Sequence, residues 1–238
     1  PLLTLLLLVS STCLIGQETQ LDSLTNELQK AESDTLRSSI LISMAYAAES
    51  QEGQLEYAQQ AYEIGQNVSS PKHKYRSTLA LGIFYAHFDL DSAVVLMKNG
   101  TQGYLKNDLI KYAVNGNYIV ALTFEINSQL DTAISYYKKA YNMGLEHEVM
   151  PEYGNAAYAI ANINNKRGRN VEALAWAIKA KEAYEKEGLT QQVSQSLNQI
   201  GIIYDQKGLY SEALDNYLKA RDMAMQAGDI DGEILINN

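Results

Sequence analysis

Small and aromatic residues recur along the chain at the i, i+4, i+7 spacing that places them on one face of a helix. In five segments this face begins with an alanine, and the five alanines are 35, 40, 40 and 40 residues apart. A fixed period of this size predicts a repeat array, in which each unit buries its apolar face by stacking on its neighbours. The alanines are Ala58, Ala93, Ala133, Ala173 and Ala213.

A first helix is predicted before each of these segments, so the repeating unit is a pair of helices. The turn inside each pair is expected five residues before the alanine, at Gly53, Phe88, Ser128, Gly168 and Gly208. Glycine adopts a positive φ at little cost, which favours the end of a helix. We expect about five helix pairs in residues 34–228, a single helix in residues 17–33, and the start of a further, truncated repeat in residues 229–238.

The last unit has the clearest motif. Its residues in order are Leu197, Ile200, Gly201, Tyr204, Gly208, Ala213, Tyr217 and Ala220. This order resembles the tetratricopeptide repeat (TPR), whose pattern is W-x₂-L-G-x₂-Y…A-x₃-F with a usual length of about 34 residues. The longer period here resembles the repeats of exported bacterial proteins. The resemblance covers residues 34–238 and weakens toward the first two units, where Tyr46 and Leu81 occupy the glycine position.

The resemblance implies an all-α fold, an α-α superhelix or solenoid of antiparallel helix pairs. It implies a scaffold that binds a protein or peptide, and no enzymatic activity. It also links the chain to the N-terminal regions of TPR-containing sensor kinases and regulators. An alternative function is therefore an extracytoplasmic sensory region of a larger membrane signalling protein, such as a histidine kinase or a transcriptional regulator.

The first residues have a different character. The segment Leu2–Gly16 has no charged residue and is too short to span a bilayer, which takes about 20 residues. It fits a secretory signal peptide in residues 1–16, truncated at its start, so we expect an exported protein that is periplasmic or membrane-associated. A buried N-terminal helix and a lipid anchor on Cys13 are the alternatives.

The net charge of −9 argues against nucleic acid as a partner of this segment, because nucleic-acid binding requires a basic surface. The three histidines lie in different units without the spacing of metal ligands. No phosphate-binding loop, dinucleotide motif or nucleophile elbow is present. The sequence therefore predicts no cofactor, no metal and no catalytic residue. A membrane contact is expected only through a missing C-terminal region or a lipid anchor.

In tetratricopeptide arrays the first helices of the pairs line the concave face. Asparagine side chains there both donate and accept hydrogen bonds, and tyrosine rings supply contact area. We therefore predict a groove for a protein or peptide partner, although the same residues would also suit packing between neighbouring repeats. The groove residues are Tyr118, Asn155, Tyr158, Asn162, Asn165 and Asn198.

Overall fold

The computed structural model describes residues 20–227, and this part of the chain is helical without β-strands. The expected signal peptide and the expected further repeat in residues 229–238 lie outside the described residues. The helices are α1 (20–30), α2 (Asp34–Ala47), α3 (Gln51–Gln66), α4 (Pro71–Tyr85), α5 (Leu90–Lys106), α6 (Ile110–Ile126), α7 (Leu130–Glu146), α8 (Glu152–Lys166), α9 (Asn170–Lys186), α10 (Thr190–Gln206) and α11 (Tyr210–Ala227).

The chain divides into two units, one ending at Tyr112 and one beginning at Ala113. In the first unit, Ser38 near the start of α2 donates a 2.8 Å hydrogen bond to the carbonyl of Ala61 near the end of α3. In the second unit, Ser194 near the start of α10 donates a 2.7 Å bond to the carbonyl of Ala220 in α11. Such pairings require neighbouring helices to run antiparallel, so the predicted all-α class and helix pairing are confirmed in both units.

The small residues of the second helices form the seams of the pairs, as predicted. One cluster in the second unit joins Ala173 and Ala177 of α9 to Ala161 of α8 and to Ile200 and Ile203 of α10. Both alanines of α9 are fully buried. Because alanine has only one side-chain carbon, two helices approach closely there, and the isoleucines of the next helix fill the remaining space.

Tyrosine rings lie directly on glycine backbone at several of these seams. A Cβ atom added to Gly201 would come within 2.6 Å of the Tyr217 ring, and one added to Gly154 would come within 2.8 Å of the Tyr184 ring. Tyrosine is abundant in the chain, with 17 residues, and this pairing explains part of that abundance. Each ring gains apolar contact only because its partner lacks a side chain.

One predicted turn is wrong. Gly53 lies inside α3, and the connection between α2 and α3 is residues 48–50. Ser50 caps α3, and its Oγ accepts a 3.0 Å hydrogen bond from the backbone N–H of Gly53. The glycine was therefore misplaced by the motif spacing, because the first pair is joined by a serine N-cap and not by a residue with positive φ.

From α5 onward the connections share one geometry. The carbonyl three residues before the C-cap accepts a hydrogen bond from the second residue after the cap, as in Leu209 N–H to Tyr204 C=O at 3.0 Å. The residue between them has a positive φ, which defines a Schellman motif. These residues follow one another every 20 positions: Asp108, Ser128, Glu148, Gly168, Gly188 and Gly208. Turns within pairs and turns between pairs are therefore alike.

Candidate functional site

The six predicted groove residues lie on α6, α8 and α10 of the second unit, and all six are half-buried. Tyr118, Tyr158 and Asn198 occupy equivalent positions because they are 40 residues apart along the chain. We call the surface formed by these three helices the amide–phenol face. Its defining residues are Tyr118, Asn155, Tyr158, Asn162, Asn165 and Asn198.

Tyr118 packs edge-on against Tyr137 of α7, with the ring centroids 5.2 Å apart. The Tyr137 hydroxyl donates a 2.8 Å hydrogen bond to Oε2 of Glu125 at the end of α6. Burial raises the pKa of both tyrosines, and the Glu125 carboxylate raises them further. Both phenols therefore stay protonated at neutral pH, and each can donate a hydrogen bond.

Asn155 of α8 is held by Tyr184 of α9, whose hydroxyl donates a 2.7 Å hydrogen bond to Asn155 Oδ1. The Tyr184 ring reaches this position because Gly154 leaves space for it. Burial raises the pKa of Tyr184, and the nearby phenols of Tyr118 and Tyr158 raise it further. The three hydroxyls therefore form one cluster beside the Asn155 amide.

Gln199 connects α8 and α10. Its Nε2 donates to Oδ1 of Asn162 and to the carbonyl of Tyr158 at 3.4 Å. The Tyr158 pKa is raised by burial, and a hydrogen bond with Asn162 partly offsets the increase. Gln199 is 3% exposed, so this bridge lies beneath the surface and fixes the Asn162 amide from below.

The structure brings Tyr118, Asn155, Tyr158 and Asn162 into this network and leaves the other two predicted residues outside it. Asn165 has a buried Oδ1 that receives no hydrogen bond from the described residues. Asn198 has no side-chain hydrogen bond to any residue between 20 and 227. These two asparagines lie at the equivalent helix positions, but nothing in the protein orients their amides.

Apolar side chains flank Asn162 at the equivalent positions of the neighbouring helices. Leu122 of α6 is 39% exposed, and Ile202 of α10 is 37% exposed. The three residues are 40 positions apart, so they form a row that is apolar, amide and apolar. Such a row offers apolar contacts on either side of one hydrogen-bonding group.

Three residues of the network were not predicted as site residues: Tyr137, Tyr184 and Gln199. Tyr137 and Tyr184 lie on second helices, where the repeat pattern indicates packing. A signal was nevertheless available, because a buried tyrosine hydroxyl requires a hydrogen-bond partner. Its nearest polar candidates were the asparagines of the first helices.

The described residues contain no group of three or more His, Cys, Asp and Glu side chains that could hold a metal ion. None of the helices between residues 20 and 227 combines the length and apolar character needed to cross a bilayer.

Residues 152–226 match a family model described as tetratricopeptide repeat. No curated protein matches the sequence. Among solved structures, the chain is similar to BtubC (BKLC) from P. vanneervenii, with a TM-score of 0.72 and 14% identity over 89% of this chain and 92% of that one.

The chain is also similar to Rap proteins. The apo form of RapI aligns with a TM-score of 0.73 and 12% identity, over 92% of this chain and 62% of that one. A Rap protein complexed with Competence and Sporulation Factor aligns with a TM-score of 0.66 and 16% identity, over the same two shares. The chain thus spans about six-tenths of these Rap proteins. At such identities the likeness shows the fold alone.

Proposed function

We propose that this tetratricopeptide-repeat protein is a scaffold that binds a peptide or an extended segment of a protein on its amide–phenol face. The observation that carries the proposal is the orientation of two asparagines from below. Tyr184 holds Asn155, and Gln199 holds Asn162, in each case through the asparagine oxygen. Their amide nitrogens are left without a hydrogen-bond acceptor among the described residues.

Amide groups fixed in this way suit the backbone of an extended peptide. Each Nδ2 supplies donors for peptide carbonyls, and the apolar side chains of Leu122 and Ile202 suit peptide side chains on either side. Because the face is ordered before binding, the partner meets little additional entropic cost from the scaffold. The internal hydrogen bonds also agree with a packing role, so the proposal depends on the unused donors.

Two of the similar structures support a peptide as the partner class. One is the Rap protein complexed with Competence and Sporulation Factor, and the other is the Rap conjugation gene regulator of plasmid pLS20 in complex with the Phr* peptide. The second has a TM-score of 0.58 and 16% identity to this chain. They support a binding role for this fold.

Export is part of the proposal, and it rests on the uncharged segment Leu2–Gly16. A sensory region outside the cytoplasm remains the alternative form of the same binding role. Mass spectrometry of the mature protein tests export: loss of residues 1–16 supports it, and a retained apolar segment contradicts it. A diacylglyceryl mass on Cys13 would show a lipid anchor in place of removal.

The binding test uses a displayed library of random twelve-residue peptides selected on the whole chain. The affinity of each selected peptide is then measured for the parent and for the double variant Tyr158→Ala with Asn162→Ala. We expect a loss of about 2 kcal/mol, or about 30-fold, if these residues dominate the interface. Leu122→Ser is a second variant that leaves the internal hydrogen bonds in place.

The matched control is Lys138→Ala with Asn142→Ala, two exposed positions on α7. Lys179 is unsuitable as a control because its ammonium lies 4.2 Å from the Trp176 ring and 5.4 Å from the Tyr141 ring. Equal affinity of the parent, the double variant and Leu122→Ser for every selected peptide would rule out this face as the binding site.

A further inference from the structure

A cluster of cations lies in the first unit, within an otherwise acidic protein. Lys72, Lys74 and Arg76 share the first two turns of α4, and His73 lies among them. Between Arg37 and Lys72 the sequence contains four glutamates and no lysine or arginine. The positive charge of this unit is therefore concentrated at one place.

These cations are not neutralised by neighbouring carboxylates. The ion pairs of the described residues use other cations, namely Arg37, Arg167, Lys181, Lys186, Lys219 and Arg221. The first turn of α4 also lacks an acidic residue. Cations there oppose the helix dipole, so they cost helix stability and do not serve the fold.

Tyrosines surround the cluster. The Lys72 ammonium lies 5.1 Å from the centroid of the Tyr112 ring, and that ring lies 5.4 Å from Tyr104. Arg76 lies near enough to the hydroxyls of Tyr46 and Tyr104 to lower their pKa, although burial has the larger, opposite effect on both. Tyr46 is 58% exposed. The cations are thus held beside aromatic surface, part of which is open to a partner.

We propose that this basic–aromatic patch, formed by Lys72, Lys74, Arg76, Tyr46 and Tyr112, binds an acidic peptide segment of a partner protein. The carboxylates of the segment meet the three cations, and its side chains rest on the exposed tyrosine rings. The site goes beyond the amide–phenol face, because it lies in the other unit and selects by charge.

Charge complementarity favours a short peptide over other anions. Three cations suit two or three carboxylates, whereas nucleic-acid binding typically neutralises about 6–10 phosphates. A membrane-binding basic segment typically has about 4–8 lysines or arginines. A long polyanion would also meet the net charge of −9 on the rest of the chain, while a short segment is confined to the patch.

The test measures fluorescence anisotropy of a labelled decapeptide of alternating glutamate and alanine, titrated with the whole chain at low salt. The patch variant is Lys72→Gln with Lys74→Gln and Arg76→Gln. The matched control removes the same charge from three exposed lysines of the second unit, as Lys138→Gln with Lys166→Gln and Lys207→Gln. We expect the patch variant to weaken binding at least tenfold and the control to change it less than twofold.

Several results would overturn the proposal. Equal weakening in the two triple variants would show nonspecific attraction, and no binding by the parent at low salt would show no site. Tighter binding of a ten-residue oligothymidylate or of phosphatidylserine vesicles, lost only in the patch variant, would assign a different anion. Self-association at low salt that is lost in the patch variant would assign a second copy as the partner. Since the amide–phenol face is intact in the patch variant, selection of library peptides by that face is unaffected by these outcomes.

Discussion

The helices of residues 34–90 and those of residues 110–227 are delimited by different local structures. In the first region, helices begin at side-chain caps: Ser33 caps α2, Ser50 caps α3 and Asp89 caps α5. In the second region, α7, α8, α9 and α10 have no side-chain hydrogen bond at their N-caps. Each of these four helices instead follows a helix that ends in a Schellman motif.

The comparison shows that one fold is specified by two local codes. An N-cap supplies an oxygen to a free N–H at the start of a helix, and a Schellman motif supplies N–H groups to free carbonyls at its end. The second code fixes the length of each helix and turn together, which accounts for the regular spacing of 40 residues in this region. The first code leaves the length open, and the first spacing is 35 residues.

The largest effect is expected when glycine is replaced where the second code requires positive φ. Gly168 and Gly208 have φ values of 69° and 72°, with open space where a Cβ atom would lie. Gly168→Ala with Gly208→Ala should lower the free energy of unfolding by about 2–4 kcal/mol, because each left-handed alanine costs about 1–2 kcal/mol. Urea denaturation followed by circular dichroism measures the change.

Gly53→Ala is the matched control, because the motif spacing treats Gly53 as equivalent to the other two glycines. Its helical position inside α3 predicts a change within about 0.5 kcal/mol, as the gain in helix propensity is offset by a close contact with Ser50 Oγ. A loss as large as that of the other glycines would contradict the helical position of Gly53.

The next effect concerns the first code. Ser50→Ala removes the acceptor for the Gly53 N–H and should lower the free energy of unfolding by about 1 kcal/mol. Gln129→Ala replaces the N-cap of α7, which forms no side-chain hydrogen bond, and should leave stability unchanged. If both variants melted alike, the distinction between the two regions would fail.

A smaller, stabilising effect is expected where the second code uses a residue other than glycine. Glu148 has a φ of 53°, so Glu148→Gly relieves strain of about 1–2 kcal/mol and adds about 0.5–1 kcal/mol of unfolded-state entropy. The net gain should be about 0.5–1 kcal/mol, measured by urea denaturation. Glu187→Gly, three residues after Glu185 in a cap with ordinary φ, should destabilise or leave the protein unchanged.

The smallest effect is a pH dependence of the first code. Hydrogen bonds from Ser92 lower the pKa of Asp89 below its usual value. A lowered pKa in the folded state stabilises the protein above the unfolded pKa, and this contribution is lost as the pH falls through the folded pKa. Asp89→Asn keeps a capping oxygen without a charge. The melting temperature of the parent should therefore fall toward that of Asp89→Asn between neutral pH and about pH 3. A constant difference would contradict the charged cap.

Much of the candidate site could be placed from the sequence, but its hydrogen bonds could not. The 40-residue spacing put Tyr118, Tyr158 and Asn198 on one set of helices, which the structure confirms. It gave no means of separating Asn155, which Tyr184 orients, from Asn165, whose oxygen has no partner among the described residues. That difference depends on which second-helix side chain crosses the seam.

The sequence by itself determined the helix pairs, because small residues at helical spacing can be buried only against another helix, and a fixed period repeats that requirement. The tertiary structure alone decided how the pairs are joined and which polar groups are fixed. Asp108, Ser128 and Glu148 occupy the same turn position as three glycines, although their composition does not indicate it. Likewise, the Tyr184 ring reaches Asn155 only because the neighbouring helix presents Gly154 at the contact. Such choices depend on distances between separate helices, which no local pattern encodes.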